Sequence, residues 1–308
     1  MKTLAIINEK GGVGKSFIAT QFALFCRFKL GNRGLVVDLD QQRNTSDILI
    51  NSGLCVPTDT TAGLIMKNGG LVKAEEPFMV IPGDDKLPYP RVCAHRGFSA
   101  IAPENSLPAF GAAIALGATE IELDVWETKD GVPVVSHDPS VERTSNGTGS
   151  IREMTFAELR KLDFGARHAE AFTGLRIPAL DEVLGQFPRQ VIVNLHVKSS
   201  GTEHFSRETI RKLDAAVRRY DCLGHVYVTG RADVMEALLE AAPELIRCMG
   251  AGDDPMNVVK NAIRYQCRKL QFMKPHFTRE MIDEAHAHGI RCNMFWSDIP
   301  AEAAEMIG

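Results

Sequence analysis

Two stretches of alternating residues carry most of the chemistry written into this chain. In Glu120-Ile121-Glu122-Leu123-Asp124-Val125-Trp126 an acidic residue recurs at every second position until Trp126. On a β-strand that spacing puts Glu120, Glu122, Asp124 and Trp126 on one face and Ile121, Leu123 and Val125 on the other. Residues 191–198 repeat the pattern, with Asn194, His196 and Lys198 sharing a face. Carboxylates two apart on a strand can hold a hard divalent cation through oxygen. Two further segments add proton carriers: Ala94-His95-Arg96-Gly97 and Ser136-His137-Asp138. Two histidines, paired carboxylates, an arginine and a lysine suit metal-assisted phosphoryl chemistry. One imidazole takes a proton, the other gives one, and the cations offset phosphate charge.

These residues need a scaffold that delivers them to one place. From residue 91 onward, short apolar runs alternate with amphipathic stretches, and strands are expected at 92–95, 120–126, 190–198, 225–229, 246–249, 269–274 and 290–296. Helices are expected at 106–116, 207–220, 232–242, 256–265, 279–288 and about 300–307. In 207–220, Ile210, Leu213, Val217 and Tyr220 fall on one helical face. Strand–helix alternation of this length implies a parallel sheet, open or closed into a (β/α) barrel. Polar inner-face residues are costly inside a packed barrel and make sense at its mouth, with Glu120 lying deeper and pairing structurally. Seven strands are countable where a TIM-type barrel needs eight, so the α/β fold is expected to lack its eighth strand and to expose two strand edges, a route to an oligomer.

The 308 residues are 44% hydrophobic and 24% charged, with a net charge of −4. That balance gives no general basic field for nucleic acid or an anionic membrane. Seven scattered cysteines without a CxxC pair argue against a disulfide framework or structural zinc and fit a reducing compartment. No apolar run approaches the roughly 20 residues that span a bilayer. The apolar stretch at the start is too short for a signal peptide, so a cytoplasmic location is expected.

The first 88 residues have a different character. A strand at 3–8, the turn Lys10-Gly11-Gly12-Val13-Gly14-Lys15-Ser16 and a helix at about 16–30 form a phosphate loop. Its glycines let backbone N–H groups turn toward an anion at a helix N-terminus. Lys15 would reach the β/γ-phosphates of ATP and the Ser16 hydroxyl would ligate Mg²⁺. With Glu9 where the strict pattern has glycine, with Lys10, and with Val36-Val37-Asp38-Leu39-Asp40-Gln41-Gln42 as second strand, this part resembles the deviant-Walker (ParA-like) partition ATPases. That resemblance makes Lys10 the signature lysine and Asp40 the carboxylate near the attacking water. It covers about 85 residues, without a later Walker B strand, so a whole ATPase is not expected. The proline-rich segment 82–90 reads as a linker or junction, dividing the chain into a nucleotide-binding fragment (1–88) and a barrel (89–308), as in a fusion or chimera.

The barrel part resembles the glycerophosphodiester phosphodiesterase family. The motifs are His95-Arg96-Gly97, Pro103-Glu104-Asn105-Ser106, Glu122-Leu123-Asp124-Val125 and His137-Asp138. Residues 143–149 (Arg-Thr-Ser-Asn-Gly-Thr-Gly), Leu162-Asp163 and Ile177-Pro178-Ala179-Leu180 extend the likeness. The resemblance implies hydrolysis of small-molecule glycerophosphodiesters to glycerol 3-phosphate and an alcohol, with Mg²⁺ or Ca²⁺. It makes His95 and His137 the acid/base pair and Glu122 and Asp124 metal ligands. It also places Arg96 and Lys198 on the phosphate and Trp296 in the glycerol pocket. The family has a third acidic ligand two residues before the lysine, where this chain has His196; imidazole can ligate, but Ca²⁺ and Mg²⁺ prefer oxygen. The alternative reading is an ATP-binding partition-type module carrying an inert barrel.

Overall fold

The computed structural model describes residues 80–199, 205–252 and 254–297, together with Ile299, Ala301, Glu302 and Ala304. The phosphate loop with Lys10, Gly11, Gly12, Gly14, Lys15 and Ser16, and the second-strand Asp40, lie outside the described residues. The apolar runs of the second part become β1 (Cys93–His95), β2 (Glu120–Glu127), β4 (Ile192–Val197), β5 (Val226–Gly230), β6 (Ile246–Gly250), β7 (Lys269–Met273) and β8 (Arg291–Phe295). All seven run parallel in the order β1-β2-β4-β5-β6-β7-β8. Most residues of β2, β4, β5 and β6 are buried on both faces, as parallel strands sheathed by helices require. These are the seven strands expected from the sequence.

Helices α1 (Leu107–Ala115), α2 (Phe156–Leu159), α3 (Leu180–Gln186), α4 (Arg207–Arg219), α5 (Ala232–Ala241), α6 (Val258–Arg264) and α7 (Arg279–Ala287) complete the repeat. Helix α4 shows why the sequence folds this way locally. The Ser206 hydroxyl accepts from the Thr209 N–H, Arg218 and Arg219 stand in the last turn, and Ile210, Leu213 and Val217 are buried. Among the described residues β1 pairs only with β2 and β8 only with β7, so the curled sheet does not close.

One strand escaped the sequence reading. β3 (Pro133–Val135) turns back at Thr128–Val132 and pairs antiparallel with the end of β2, Val125 opposite Val135. Its Ser136 N–H donates to the Asp124 carbonyl at 3.0 Å, which holds the following His137 level with the carboxylates of β2. Beyond it, Val141, Ile151, Leu159 and Ile177 close over Trp126 as a small core of their own. Trp126 therefore props up this insertion.

The segment 82–90 is no linker. It belongs to the same compact unit as the barrel and packs against the N-terminal ends of the strands. Ile81 and Leu87 pack against Ile192, Tyr227, Ile246 and Cys248. The Asp84 carboxylate accepts from Arg91 at 2.7 Å and from Lys269 at 2.6 Å. Arg91 also reaches Glu120 at 3.5 Å, and Tyr227 donates to Glu120 at 2.5 Å. Prolines suggested a solvated spacer; the apolar Ile81 and Leu87 and the charge of Asp84 make it a plug.

The turn that leaves β1 is built on a close approach. Gly97 has φ +79°, and a Cβ there would sit 2.6 Å from the backbone carbon of Ala109 in α1. Gly97→Ala is expected to destabilise the fold by roughly 1–3 kcal/mol, combining left-handed strain with overpacking against backbone that has no room to yield. Urea denaturation of the variant beside the parent checks it; an unchanged midpoint would show that α1 shifts freely.

Candidate active site

Parallel register assembles the site. His95 on β1 lies opposite Glu122 on β2, and Asp124 lies opposite His196 on β4. Because the alternation is in phase across these strands, their side chains meet at the C-terminal mouth. Ligand atoms of Glu122, Asp124 and His196 all lie within 4.8 Å of one another. His196 Nδ1 is 3.6 Å from a Glu122 oxygen and 3.4 Å from Asp124 Oδ1. His95 Nε2 stands 3.9 Å from the other Glu122 oxygen.

Asp124 is 0% exposed and tightly framed. Asn105 donates from Nδ2 to its Oδ2 at 2.8 Å and accepts from its backbone N–H at 3.2 Å. The Lys198 ammonium lies 2.8 Å from Oδ1 and 3.2 Å from His196 Nδ1. Burial pushes the Asp124 carboxyl up, but the adjacent His196 ring and the Lys198 charge outweigh it and hold the group well below the usual carboxylate range. For His196, burial favours the neutral ring; the facing Asp124 and Glu122 carboxylates, which accept from the charged ring, prevail and raise its pKa. His95 goes the other way, its pKa lowered by burial against the opposing pull of Glu122.

A divalent metal fits this donor set. Oδ1 of Asp124 is buried and has no hydrogen-bond donor in proper geometry, although the Lys198 charge is close. A buried carboxylate oxygen with spare acceptor capacity, beside a second carboxylate and an imidazole nitrogen, is a donor set that a cation would satisfy.

The second histidine, His137, is held from its far side. His137 Nδ1 meets Asp138 Oδ1 at 2.7 Å, and the Trp126 indole donates to the His137 carbonyl at 3.0 Å. Arg143 ties this arm to the first: it donates to Asp138 at 2.5 Å and forks onto Glu104 at 2.7 and 2.9 Å. Glu104 in turn accepts from Arg96 at 3.1 Å. The Arg96 backbone N–H donates to Glu122 at 3.2 Å, and its Nε lies 3.4 Å from Asp124. Arg96 and Asn105 both hold left-handed backbone, φ 57° and 55°, so each turn around the site bends unusually sharply for a residue with a side chain.

His95, Arg96, Glu122, Asp124, His196 and Lys198 thus converge, and His137 reaches them through Arg143. Trp296 stands apart. It is 58% exposed, with its ring 4.9 Å from Phe295, which is itself 5.1 Å from His95. It lines a cavity of about 410 Å³ with Met273, Lys274 and Phe295 on the rim of the mouth. Sequence reasoning missed Asn105, Glu104, Asp138 and Arg143 as working residues. The signal was present, since all four sit inside the quoted motifs, but apart from the adjacent His137–Asp138 pair the contacts that join them to the site span 5 to 39 residues.

Fold and site together define an unclosed, barrel-type parallel β/α sheet with a carboxylate–histidine cluster at its mouth. The model of the glycerophosphoryl diester phosphodiesterase family matches residues 95–307, and the chain belongs to that family. Residues 1–67 match the model of an AAA domain. A glycerophosphodiester phosphodiesterase of Caldanaerobacter subterraneus subsp. tengcongensis is 44% identical over 131 residues, 42% of this chain and 53% of the relative. Human glycerophosphodiester phosphodiesterase 1 is 40% identical over 123 residues, 39% of this chain and 37% of the relative. The chain spans about half the length of the curated relatives it matches. The crystal structure of a glycerophosphodiester phosphodiesterase from Agrobacterium tumefaciens superposes with a TM-score of 0.59 at 26% identity, covering 70% of this chain and 91% of that one. In fold it also resembles an Oleispira antarctica phosphodiesterase solved with sn-glycerol-3-phosphate (TM-score 0.61, 24% identity, 70% and 88% covered). Among the described residues no helix is long and apolar enough to cross a membrane.

Proposed function

We propose that the barrel hydrolyses glycerophosphodiesters to glycerol 3-phosphate and an alcohol, using a divalent metal held by Glu122, Asp124 and His196. The observation that carries the reading is the convergence of those three residues with His95 and Lys198 at one end of the sheet. Membership of the family and the names of its relatives support it. Mg²⁺ or Ca²⁺ bound there supplies electrostatic stabilisation of the phosphoryl oxygens.

This chain's own residues divide the remaining work. Water oxygen bonds to phosphorus as the bond from phosphorus to the alcohol oxygen breaks. His95, with its pKa lowered and its ring neutral, takes the proton from the attacking water. His137, positioned by Asp138, gives a proton to the departing alcohol. Lys198 and Arg96 carry the positive charge that faces the phosphate. Glu104 and Arg143 hold the two histidine arms in register. Trp296 lies on the glycerol side.

Release of glycerol 3-phosphate from glycerophosphocholine by the full chain tests this. Activity with Mg²⁺ or Ca²⁺ that falls at least tenfold in EDTA and returns with metal is expected. A soluble, cooperatively folding sample that releases no product with either metal would overturn it.

For the N-terminal portion ahead of the plug, the AAA domain match over residues 1–67 supports ATP and Mg²⁺ binding by Lys10, Gly11, Gly12, Gly14, Lys15, Ser16 and Asp40. The barrel portion begins with the plug and runs through the remaining chain.

A further inference from the structure

A phosphodiester carries two substituents, and two cavities flank the cluster. One is the aromatic rim by Phe295 and Trp296. The other, about 270 Å³, opens beside His137 between the segment Pro103–Ser106 and the insertion after β3. Its lining includes none of Glu122, Asp124, His196 or Lys198, so it extends away from the metal ligands, starting at the side chain that faces the departing oxygen.

The charge of this second cavity is lopsided. Arg143, Arg167 and Arg176 line it against a single carboxylate, Glu104. Arg143 spends its charge on Glu104 and Asp138. Arg167 and Arg176 form no ion pair among the described residues; their hydrogen bonds go to main-chain carbonyls. Arg167 Nε donates to the carbonyl of the fully buried Ser145, and Arg176 Nη1 donates to the carbonyls of Leu162 at 2.7 Å and Lys161 at 3.2 Å. The nearby Asp163 feels the Arg176 charge, but its oxygens are taken by the N–H groups of Gly165, Ala166 and Gly174.

Tethering changes what an exposed arginine can do. A guanidinium has five N–H donors, and these two use one nitrogen each on the wall, leaving the other nitrogens of each fork and a charge that no ion pair takes up. Most of the ordering cost of recruiting a long side chain to an anion has thereby been met in advance. The tethers are main-chain carbonyls that the hydrolytic site leaves unused: those of Ser145 for Arg167, and of Lys161 and Leu162 for Arg176.

We propose that this cavity is the subsite for the alcohol portion of the substrate, and that it takes an alcohol bearing a second anionic group, a phosphate or a carboxylate, on Arg167 and Arg176. The proposal rests on the phosphodiesterase reading. It would make the preferred substrates doubly anionic, with the catalytic phosphodiester at the mouth and the second anion beyond His137.

Matched ligands test it in the full chain with EDTA present, so that binding is read without turnover. Glycerophosphoinositol 4-phosphate against glycerophosphoinositol isolates one phosphate; glycerophosphoserine against glycerophosphoethanolamine isolates one carboxylate. Calorimetry is expected to show about tenfold tighter binding of the anionic member in at least one pair, shrinking as salt rises. The double substitution Arg167→Met, Arg176→Met is expected to bring the ratio close to one. Because Arg167 braces a buried carbonyl, Arg176→Met alone serves as the second variant, expected to lose part of the advantage. Equal affinities within both pairs at low salt, or an advantage untouched by either variant, would overturn the subsite. Its failure is separable from failure of the hydrolytic reading. Turnover of glycerophosphocholine without anion preference leaves the hydrolase and removes the subsite, whereas anion preference in a protein that turns over no phosphodiester does the reverse.

Discussion

His95→Ala is expected to lower kcat on glycerophosphocholine by roughly 10²–10⁴-fold, the range over which a positioned proton carrier contributes. His137→Ala should fall in the same range, and the double variant should lose far less than the product of the two, because the imidazoles serve one transfer from opposite sides. The geometry says why neither neighbour can substitute. His196 is held between two carboxylates and beside Lys198, and Asp138 is already committed to Arg143. Steady-state assays of release of glycerol 3-phosphate check this, with metal affinity measured in parallel. His95 sits 3.9 Å from Glu122, so a loss of metal binding in His95→Ala would show that the histidine acts by supporting the carboxylate rather than by moving a proton. Unchanged metal affinity with the expected fall in kcat would support the proton-transfer role.

How far the sequence could be read depended on whether the information was local. Strand β2 announced itself, because Glu122 and Asp124 alternate with Ile121, Leu123 and Val125, and the same period put His196 and Lys198 on one face of β4. Parallel register then joined strands the sequence could only list in order. Glu120 was rightly placed deeper, where it meets Arg91 and Tyr227. What stayed hidden was made by pairs distant in the chain. β3 is three residues long, too short for periodicity to register, yet it sets the height of His137. Arg143 is an unremarkable loop arginine until the fold brings Glu104 beneath it across 39 residues. The plug was misread because proline content reports backbone stiffness and says nothing of what Asp84 will meet; Lys269, its partner, is 185 residues away.

Asp84→Ala is expected to be among the most damaging single changes in the barrel, costing about 3–5 kcal/mol, the range for removing one partner of a buried ion pair. Lys269 is 1% exposed, with its ammonium 2.6 Å from Asp84 and 3.7 Å from the centre of the Tyr227 ring. The ring offers weak compensation for a full charge out of water. Arg91 would keep the carbonyls of Asp84 and Leu87 and its longer contact with Glu120. Losing the carboxylate therefore strands the ammonium above all. Burial raises the Asp84 pKa, but Lys269 and Arg91 more than reverse that, so it is lower in the folded chain than in the unfolded one. The pair's contribution is then fully present above the unfolded value, about 3.9, and is lost as pH falls through the folded value. Two measurements check the argument. Denaturant unfolding at neutral pH should show the loss in Asp84→Ala, and the parent should lose more stability than the variant on acidification below about pH 4. The compensating double substitution Asp84→Leu, Lys269→Met should recover much of the loss, because it removes both charges from the interior. A double variant as unstable as Asp84→Ala would mean that the plug is held by Arg91 and its carbonyl contacts, with Lys269 incidental.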